Sequence, residues 1–315
     1  MIDRRTLLAG LAAGATTAPL FAQPAQAQSW KAKYPELVFA VVPSENASGV
    51  TERMGPFVNY LSRELGTKVT LRIANDYAAV IEGQRSGNIH IGGYGPAAFA
   101  RARLIGVKTD AIVIEVNADG SKGYYSVFYV KANSPYKTIE DLKGKNLGVV
   151  DPNSTSGYSM PLFALDKKGI DTPKFFGKVQ TTGSHENAVL ALAQGTVDVA
   201  CNWWNAEDDS NLTRMLSKGM LKNADGSLIK KEDFRIILKT DLIINSPTAV
   251  LAELPADLKA AIKTAFLDAP KKDKAAFDKL SDGKNMPWQP TDNAAYDETI
   301  KLIRFVDALK KKSSS

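Results

Sequence analysis

One cysteine and two histidines among 315 residues remove several chemistries at once. Cys201 has no partner thiol, so no internal disulfide can form. It stands in the apolar run Val197-Asp198-Val199-Ala200-Cys201, where a thiol serves as a small buried hydrophobe. His90, His185 and that thiol are too few for a zinc site, and no metal or cofactor is expected. His185-Glu186 opens like the zinc-protease pattern H-E-x-x-H, but the position four after His185 is Val189. The elbow pattern G-x-S-x-G and the phosphate loop GxxxxGK[ST] are both missing. Ser134-Pro135-Tyr136-Lys137 has the S-x-x-K spacing of β-lactamase-like enzymes without their S-D-N and K-T-G elements. No catalytic residue is expected, and any ATP chemistry belongs to another protein.

Concentrated basic charge is missing too. The net charge of +6 is spread along the chain, and the only dense cluster is Lys310-Lys311-Lys312 at the tail. Nucleic-acid binding wants a basic face interleaved with stacking aromatics, so no nucleic-acid partner is expected. Beyond Phe21 no apolar run reaches the ~20 residues that a membrane span needs.

The first residues fix a compartment. Arg4-Arg5, an apolar run from Leu7 to about Phe21, and the small-x-small site Ala25-Gln26-Ala27 read as a twin-arginine export signal cleaved near Ala27. The expected location is the periplasm. A 44% hydrophobic and 23% charged composition then fits an ordinary soluble protein of one large or two medium domains.

Along the mature chain, strand patterns at 36–42, 68–73, 89–91, 111–116 and 124–130 alternate with helical patterns at 51–65, 76–85 and 94–104. The pattern restarts with a capping-box-like helix start at Thr138, a strand at 145–150, a serine-rich helix, a helix at 184–194 and strands at 197–201 and 232–239. Amphipathic helices at 255–267 and 293–309 close the chain. The βα alternation predicts mostly parallel sheets covered by helices. Two halves of similar size predict two lobes and a cleft, with ligands at the carboxyl ends of strands. The expected division is residues 28–130 in lobe 1, 131–245 in lobe 2, and 246–315 returning to lobe 1.

Asp151-Pro152-Asn153-Ser154-Thr155-Ser156-Gly157-Tyr158 is the most informative stretch. Pro152 and Asn153 turn the backbone, and Ser154 is a natural N-cap. Thr155, Ser156 and Gly157 fall in the first turn, where backbone N–H groups lack helical partners. Those donors, three hydroxyls and the positive end of the helix dipole make an oxyanion pocket without lysine or arginine. Neutral donors suit reversible capture better than chemistry. Tyr77, Tyr94 and His185 also stand at predicted helix starts, and Glu45 follows the first strand near the predicted cleft. His90, inside a short strand, reads as structural. Trp203 and Trp204 are adjacent in an extended segment, so they point to opposite sides.

In these features the chain resembles the phosphonate-binding components of bacterial uptake transporters, which have the two-lobed type II periplasmic-binding-protein fold. Asp151 to Gly157 resembles the anion loop, Asp76-Tyr77-Ala78 and Tyr94-Gly95 the two tyrosine positions, and Gly183-Ser184-His185-Glu186 the histidine at a helix start. The resemblance implies that Ser154, Thr155, Ser156, His185, Tyr77 and Tyr94 hold a phosphonate between the lobes. It also implies a monomer that delivers its ligand to an ABC permease in the inner membrane. Two positions depart from the pattern. Members that take aminoalkylphosphonates carry acidic residues where this chain has Asn205 and Ser246, so the phosphonate end is retained and the ammonium end is altered. Glu207, Asp208 and Asp209 lie close enough in sequence to replace one of those acids. A smaller oxyanion, phosphite or phosphate, is the alternative ligand. An exported enzyme acting on a phosphorus compound is the third reading.

Overall fold

The computed structural model describes residues 29–42, 45–223 and 225–314; the expected export segment and its expected cleavage site near Ala27 lie outside them. The first part of the chain runs β1 (Glu36–Val41), α1 (Ala47–Leu65), β2 (Lys68–Ile73), α2 (Tyr77–Arg85), β3 (Ile91–Gly93), α3 (Pro96–Leu104) and β4 (Thr109–Asn117). A middle part follows with β5 (Gly123–Lys131), β6 (Asn146–Val149), α4 (Met160–Lys167), α5 (Thr172–Phe175), β7 (Lys178–Thr181) and α6 (His185–Ala193). It ends with β8 (Val199–Ala206), β9 (Asp209–Ser210), α7 (Asn211–Ser217), β10 (Phe234–Lys239) and β11 (Ile243–Ile244). The chain then returns through β12 (Pro247–Leu251), α8 (Ala256–Lys272), α9 (Lys274–Lys279), β13 (Asn285–Pro290) and α10 (Asp297–Ser314).

The strands form two sheets, one per lobe. The first has the order β13-β4-β12-β3-β1-β2, and the second β10-β5-β8-β6-β7, with β11 on β5 and β9 on β8. This is the two-lobed α/β architecture expected from the alternation. Neither sheet is mostly parallel, however. β1 pairs in parallel with β2 and β3, and β6 with β7 and β8. The strands that cross between lobes or return from them pair antiparallel: β12 with β3 and β4, β13 with β4, and β5 with β8 and β10. A strand that enters a sheet from the other lobe has no crossover helix to force a parallel direction.

β5, expected to close lobe 1, belongs to the second sheet, so the chain passes between lobes at 118–122 and not at 130/131. It passes back at Asn245-Ser246, between β11 and β12. The two crossings are tied together. Asn245 Nδ2 donates to Asn117 Oδ1 at 3.0 Å, Asn117 Nδ2 donates to the Gly123 carbonyl at 2.7 Å, and the Tyr296 hydroxyl donates to the Asn245 carbonyl at 3.0 Å. Helix α10 braces both lobes from behind: Arg101 of α3 forms a bidentate pair with Asp307, and Phe163 of α4 stacks edge-on against Phe305 at 5.2 Å.

Lobe 1 is held by an aromatic cluster. Phe57 of α1, Phe266 of α8, Phe277 of α9 and Trp288 of β13 meet with centroids 5.0–5.1 Å apart. Each such buried ring contributes about 1.5–3 kcal/mol by area alone. The expected helix at Thr138 is a single 3-10 turn, Glu140–Leu142, in which the Asp141 carboxylate accepts from the Lys137 and Thr138 N–H groups. Gly144, in the left-handed region at φ 74°, ends it there.

Candidate functional site

Between the lobes lies a cavity of about 250 Å³, and all eight residues singled out in the sequence line it: Tyr77, Tyr94, Ser154, Thr155, Ser156, His185, Asn205 and Ser246. Four helix starts converge on one end. Tyr77 opens α2, Pro96 opens α3, Thr155 opens a π-helical turn (Thr155–Ser159) that runs into α4, and His185 opens α6. A helix start aims backbone N–H groups and a positive partial charge outward, so four of them make an anion pocket without a formal cation.

The serine loop is built more tightly than a plain cap. Ser154 has extended backbone, and its Oγ accepts from Gly157 N at 3.0 Å. That N–H is therefore spent on the cap, and the first-turn donors left for a guest are those of Thr155 and Ser156. The Ser126 hydroxyl donates to the Ser156 carbonyl at 2.5 Å, and Gly157 O accepts from Val150 N at 2.8 Å. Gly157 is required by close approach: a Cβ there would sit 2.3 Å from a Val150 methyl. A π turn widens the helix entrance, a distortion often found at functional sites. Thr155 Oγ1 accepts from Ala97 N of α3 at 2.8 Å, which joins the two lobes at the pocket floor.

His185 is 4% exposed, and its Nε2 lies 3.4 Å from Ser154 Oγ. Its Nδ1 is 2.9 Å from Asn202 Oδ1. Burial holds the imidazole down at about 4, with the Asn202 contact opposing, so it is neutral near pH 7. Burial pushes the Tyr77 phenol above its ordinary value, eased by the Ser154 hydroxyl beside it. Tyr124 rests against the Thr155 and Ser156 hydroxyls, with its phenol pushed up to about 12 by burial. Both phenols remain hydrogen-bond donors at neutral pH.

Tyr94 departs from its expected role. Its hydroxyl donates to Gln84 Oε1 at 3.0 Å inside lobe 1, so it does not face the cavity as a donor. His90 is structural, as its sequence context predicts: Nδ1 accepts from Val38 N at 2.9 Å. The tryptophans split as adjacent strand residues must. Trp203 walls the cavity with the Arg214 guanidinium 5.1 Å from its ring, whereas Trp204 packs on Tyr125 and Lys239 on the opposite face.

The far end of the cavity is charged. Glu45 is buried and paired with Arg53, with Lys218 3.6 Å and Arg214 3.9 Å away. Burial works to raise that carboxyl, but Arg53 above all pulls it below the ordinary range. Arg53 also donates to the Leu280 carbonyl, so three of its five N–H donors are engaged. Asp209 accepts from Asn205 Nδ2 at 2.8 Å. Glu115, on β4, lies deep between the lobes yet opens on the cavity, and its backbone N–H donates to the Ser246 carbonyl at 3.4 Å. Burial raises its pKa and Asp209 adds to the rise, while Arg53 and Arg214 oppose it.

Tyr124, Glu115, Asn202 and Arg214 were not visible as site residues in the sequence. The one available signal was Glu115, a lone acid in the otherwise apolar strand Ala111-Ile112-Val113-Ile114-Glu115-Val116. The other three are assembled by β5, β8 and α7, whose positions across the cleft no local pattern records.

Two lobes, a hinge of paired crossings and a deep cleft lined by helix starts define a type II solute-binding protein. Comparison with known proteins gives the family. Residues 39–296 match the model of the ABC transporter phosphonate periplasmic substrate-binding proteins, and the chain belongs to that family. The phosphonates-binding periplasmic protein of Escherichia coli is 30% identical over 81% of this chain and 71% of its own length. A phosphate-import protein of Mycolicibacterium smegmatis is 27% identical over 74% of this chain and 72% of its own. Among solved structures, a binding protein component of a Pseudomonas aeruginosa ABC phosphonate transporter superposes with a TM-score of 0.72 at 26% identity, covering 89% of this chain and 88% of that one.

Proposed function

We propose that this protein captures a small phosphonate between its lobes in the periplasm and, as a monomer, delivers it to an ABC permease in the inner membrane. The observation that carries the reading is the convergence of four helix starts with the Ser154, Thr155 and Ser156 hydroxyls, the Tyr77 and Tyr124 phenols and His185. Micromolar capture corresponds to about 8 kcal/mol. Several charge-assisted hydrogen bonds of about 1.5–3 kcal/mol each supply that before association costs.

The ligand's organic part faces the charged end. Asn205 and Ser246 carry no charge themselves, but Asn205 donates to the Asp209 carboxylate, and Glu115, bonded to Ser246 through its backbone, also lines the cavity. We assign the negative charge that an ammonium group needs to Glu115, since Asp209 already takes the Asn205 amide. A smaller oxyanion is the competing ligand, because Trp203 fills volume at the cavity wall.

Ser154, His185 and Asn202 also lie in the order of a nucleophile, a base and an orienting residue. Ser154 Oγ already caps Gly157 N, which favours a binding role for the hydroxyl. A panel of methylphosphonate, 2-aminoethylphosphonate, phosphite, phosphate and methanesulfonate, read by thermal shift and calorimetry, tests the reading. Tight binding raises stability by RT ln(1 + [L]/Kd). Failure of every phosphonate to bind overturns it, and turnover of a phosphonate monoester revives the enzyme.

A further inference from the structure

We propose that His185 meets the ligand as a proton acceptor, so that the site takes up an oxyanion together with one proton and prefers singly protonated phosphonates to sulfonates. The inference rests on the phosphonate reading of this site and adds the protonation state that it selects.

The geometry fixes the tautomer. Asn202 Nδ2 donates to the His185 carbonyl at 2.9 Å, and Asn202 Oδ1 accepts from Trp203 N at 2.9 Å. Reversing the amide would set N–H against N–H at one contact and oxygen against oxygen at the other. The oxygen is therefore the atom 2.9 Å from His185 Nδ1, and Nδ1 must carry the hydrogen. A neutral imidazole has one ring proton, which leaves Nε2 as an acceptor whose neighbour is the Ser154 hydroxyl at 3.4 Å.

No charged side chain among the described residues compensates. Tyr77 faces the pocket from α2, Tyr124 from β5, and the hydroxyls of Ser154 and Thr155 from the serine loop. Asp151 acts on Tyr77 from behind, and Glu186, the next residue of α6, turns to Asn46. Burial keeps the imidazole neutral down to about 4.

When the Ser154 hydroxyl turns to a fully ionised phosphonate, the Nε2 lone pair is left facing an unprotonated oxygen. A proton between them removes the repulsion, either as P–O–H donating to Nε2 or as Nε2–H⁺ donating to P–O⁻. Both arrangements have the same composition: protein, dianion and one proton drawn from solvent. Below the ligand's second ionisation the ligand brings that proton itself. A sulfonate carries none at neutral pH and must draw it onto a buried histidine.

Calorimetry of methylphosphonate from pH 6 to 9, in buffers of different ionisation enthalpy, counts the protons. Above the ligand's second ionisation we expect about one proton taken up per ligand and a Kd that rises about tenfold per pH unit. Tyr77 and Tyr124, both raised by burial, stay protonated throughout. At pH 7.5 methanesulfonate should bind at least about a hundredfold more weakly, the equivalent of two pH units of withheld proton. Methylphosphonate binding without proton uptake and with a flat Kd from pH 7 to 9 overturns the inference, while no methylphosphonate binding at any pH overturns the phosphonate reading instead. Asn202→Asp puts a carboxylate on Nδ1 and holds the ring protonated, so its pH slope should vanish over this range and its rejection of methanesulfonate should shrink. An unchanged pH profile in folded N202D also overturns the inference, and the wild-type proton count decides the matter if that variant does not fold.

Discussion

The two ends of the cleft solve recognition in opposite ways. At the serine loop the working groups are uncharged: helix-start amides, hydroxyls, phenols and a neutral imidazole. At the far end Arg53, Arg214, Glu45, Asp209 and Glu115 crowd together. Those charges are almost all committed to one another. Arg53 is spent on Glu45 and the Leu280 carbonyl, Arg214 lies over Trp203, and Asp209 takes the Asn205 amide. Glu115 alone holds its carboxyl open to the cavity. Dipoles anchored by backbone hold an anion without leaving a buried charge when it departs, which suits reversible binding. The charged end, already balanced, discriminates by the one group left over.

The largest effect should come from the dipolar end. Ser154→Ala removes the hydroxyl next to His185 and the cap on Gly157 N together. We expect phosphonate affinity to fall at least about tenfold, the loss of one charge-assisted bond of about 1.5–3 kcal/mol. Calorimetry showing an unchanged Kd would take this loop out of the site. The comparison sharpens with Glu115→Gln, an isosteric loss of charge at the other end. Affinity for 2-aminoethylphosphonate should fall about tenfold while that for methylphosphonate stays within about twofold. Equal losses for both ligands would show that the two ends are not separate recognition units.

The dipolar end was the legible one. Its residues announce themselves locally, because a cap, a turn and three successive hydroxyls are a pattern of adjacent positions. The charged end was illegible for the converse reason. Glu115 comes from β4, Asp209 from β9, Arg53 from α1 and Arg214 from α7, and only the fold brings them together. α7 itself escaped because its start, Ser210 with a capping box to Thr213, directly follows the two-residue strand β9. The 130/131 boundary failed because β5 has the same apolar texture in either lobe, and pairing partners, not composition, decide its sheet.

A smaller effect tests whether the ends act through closure. Glu186, beside the anion pocket, accepts from both Asn46 N at 2.8 Å and Asn46 Nδ2 at 3.0 Å, and Asn46 is the N-cap of α1 in the opposite lobe. The carboxylate thus sits at the positive end of α1 across the cleft, worth about 0.3–1 kcal/mol. Glu186→Gln keeps the shape and halves the complementarity. Small-angle scattering of the ligand-free protein should show a larger radius of gyration, with a Kd weakened up to about fivefold by the shifted equilibrium. An unchanged radius together with an unchanged Kd would leave Glu186 as a cap without a closing role.

The smallest expected change is also the sharpest separation of fold from site. Tyr94 lines the cavity, and family resemblance places it on the ligand, yet its hydroxyl is turned to Gln84 Oε1 and the residue is 2% exposed. Tyr94→Phe therefore removes a hydrogen bond inside lobe 1, not one to the guest. Stability should drop by about 1 kcal/mol, the usual net worth of such a bond, in chemical denaturation. Phosphonate affinity should stay within about twofold, against the tenfold loss that a direct donor would show. A tenfold loss of affinity in Y94F with unchanged stability would mean that the phenol swings into the cleft when ligand arrives, and the dipolar end would then draw on a lobe 1 donor that here bonds Gln84.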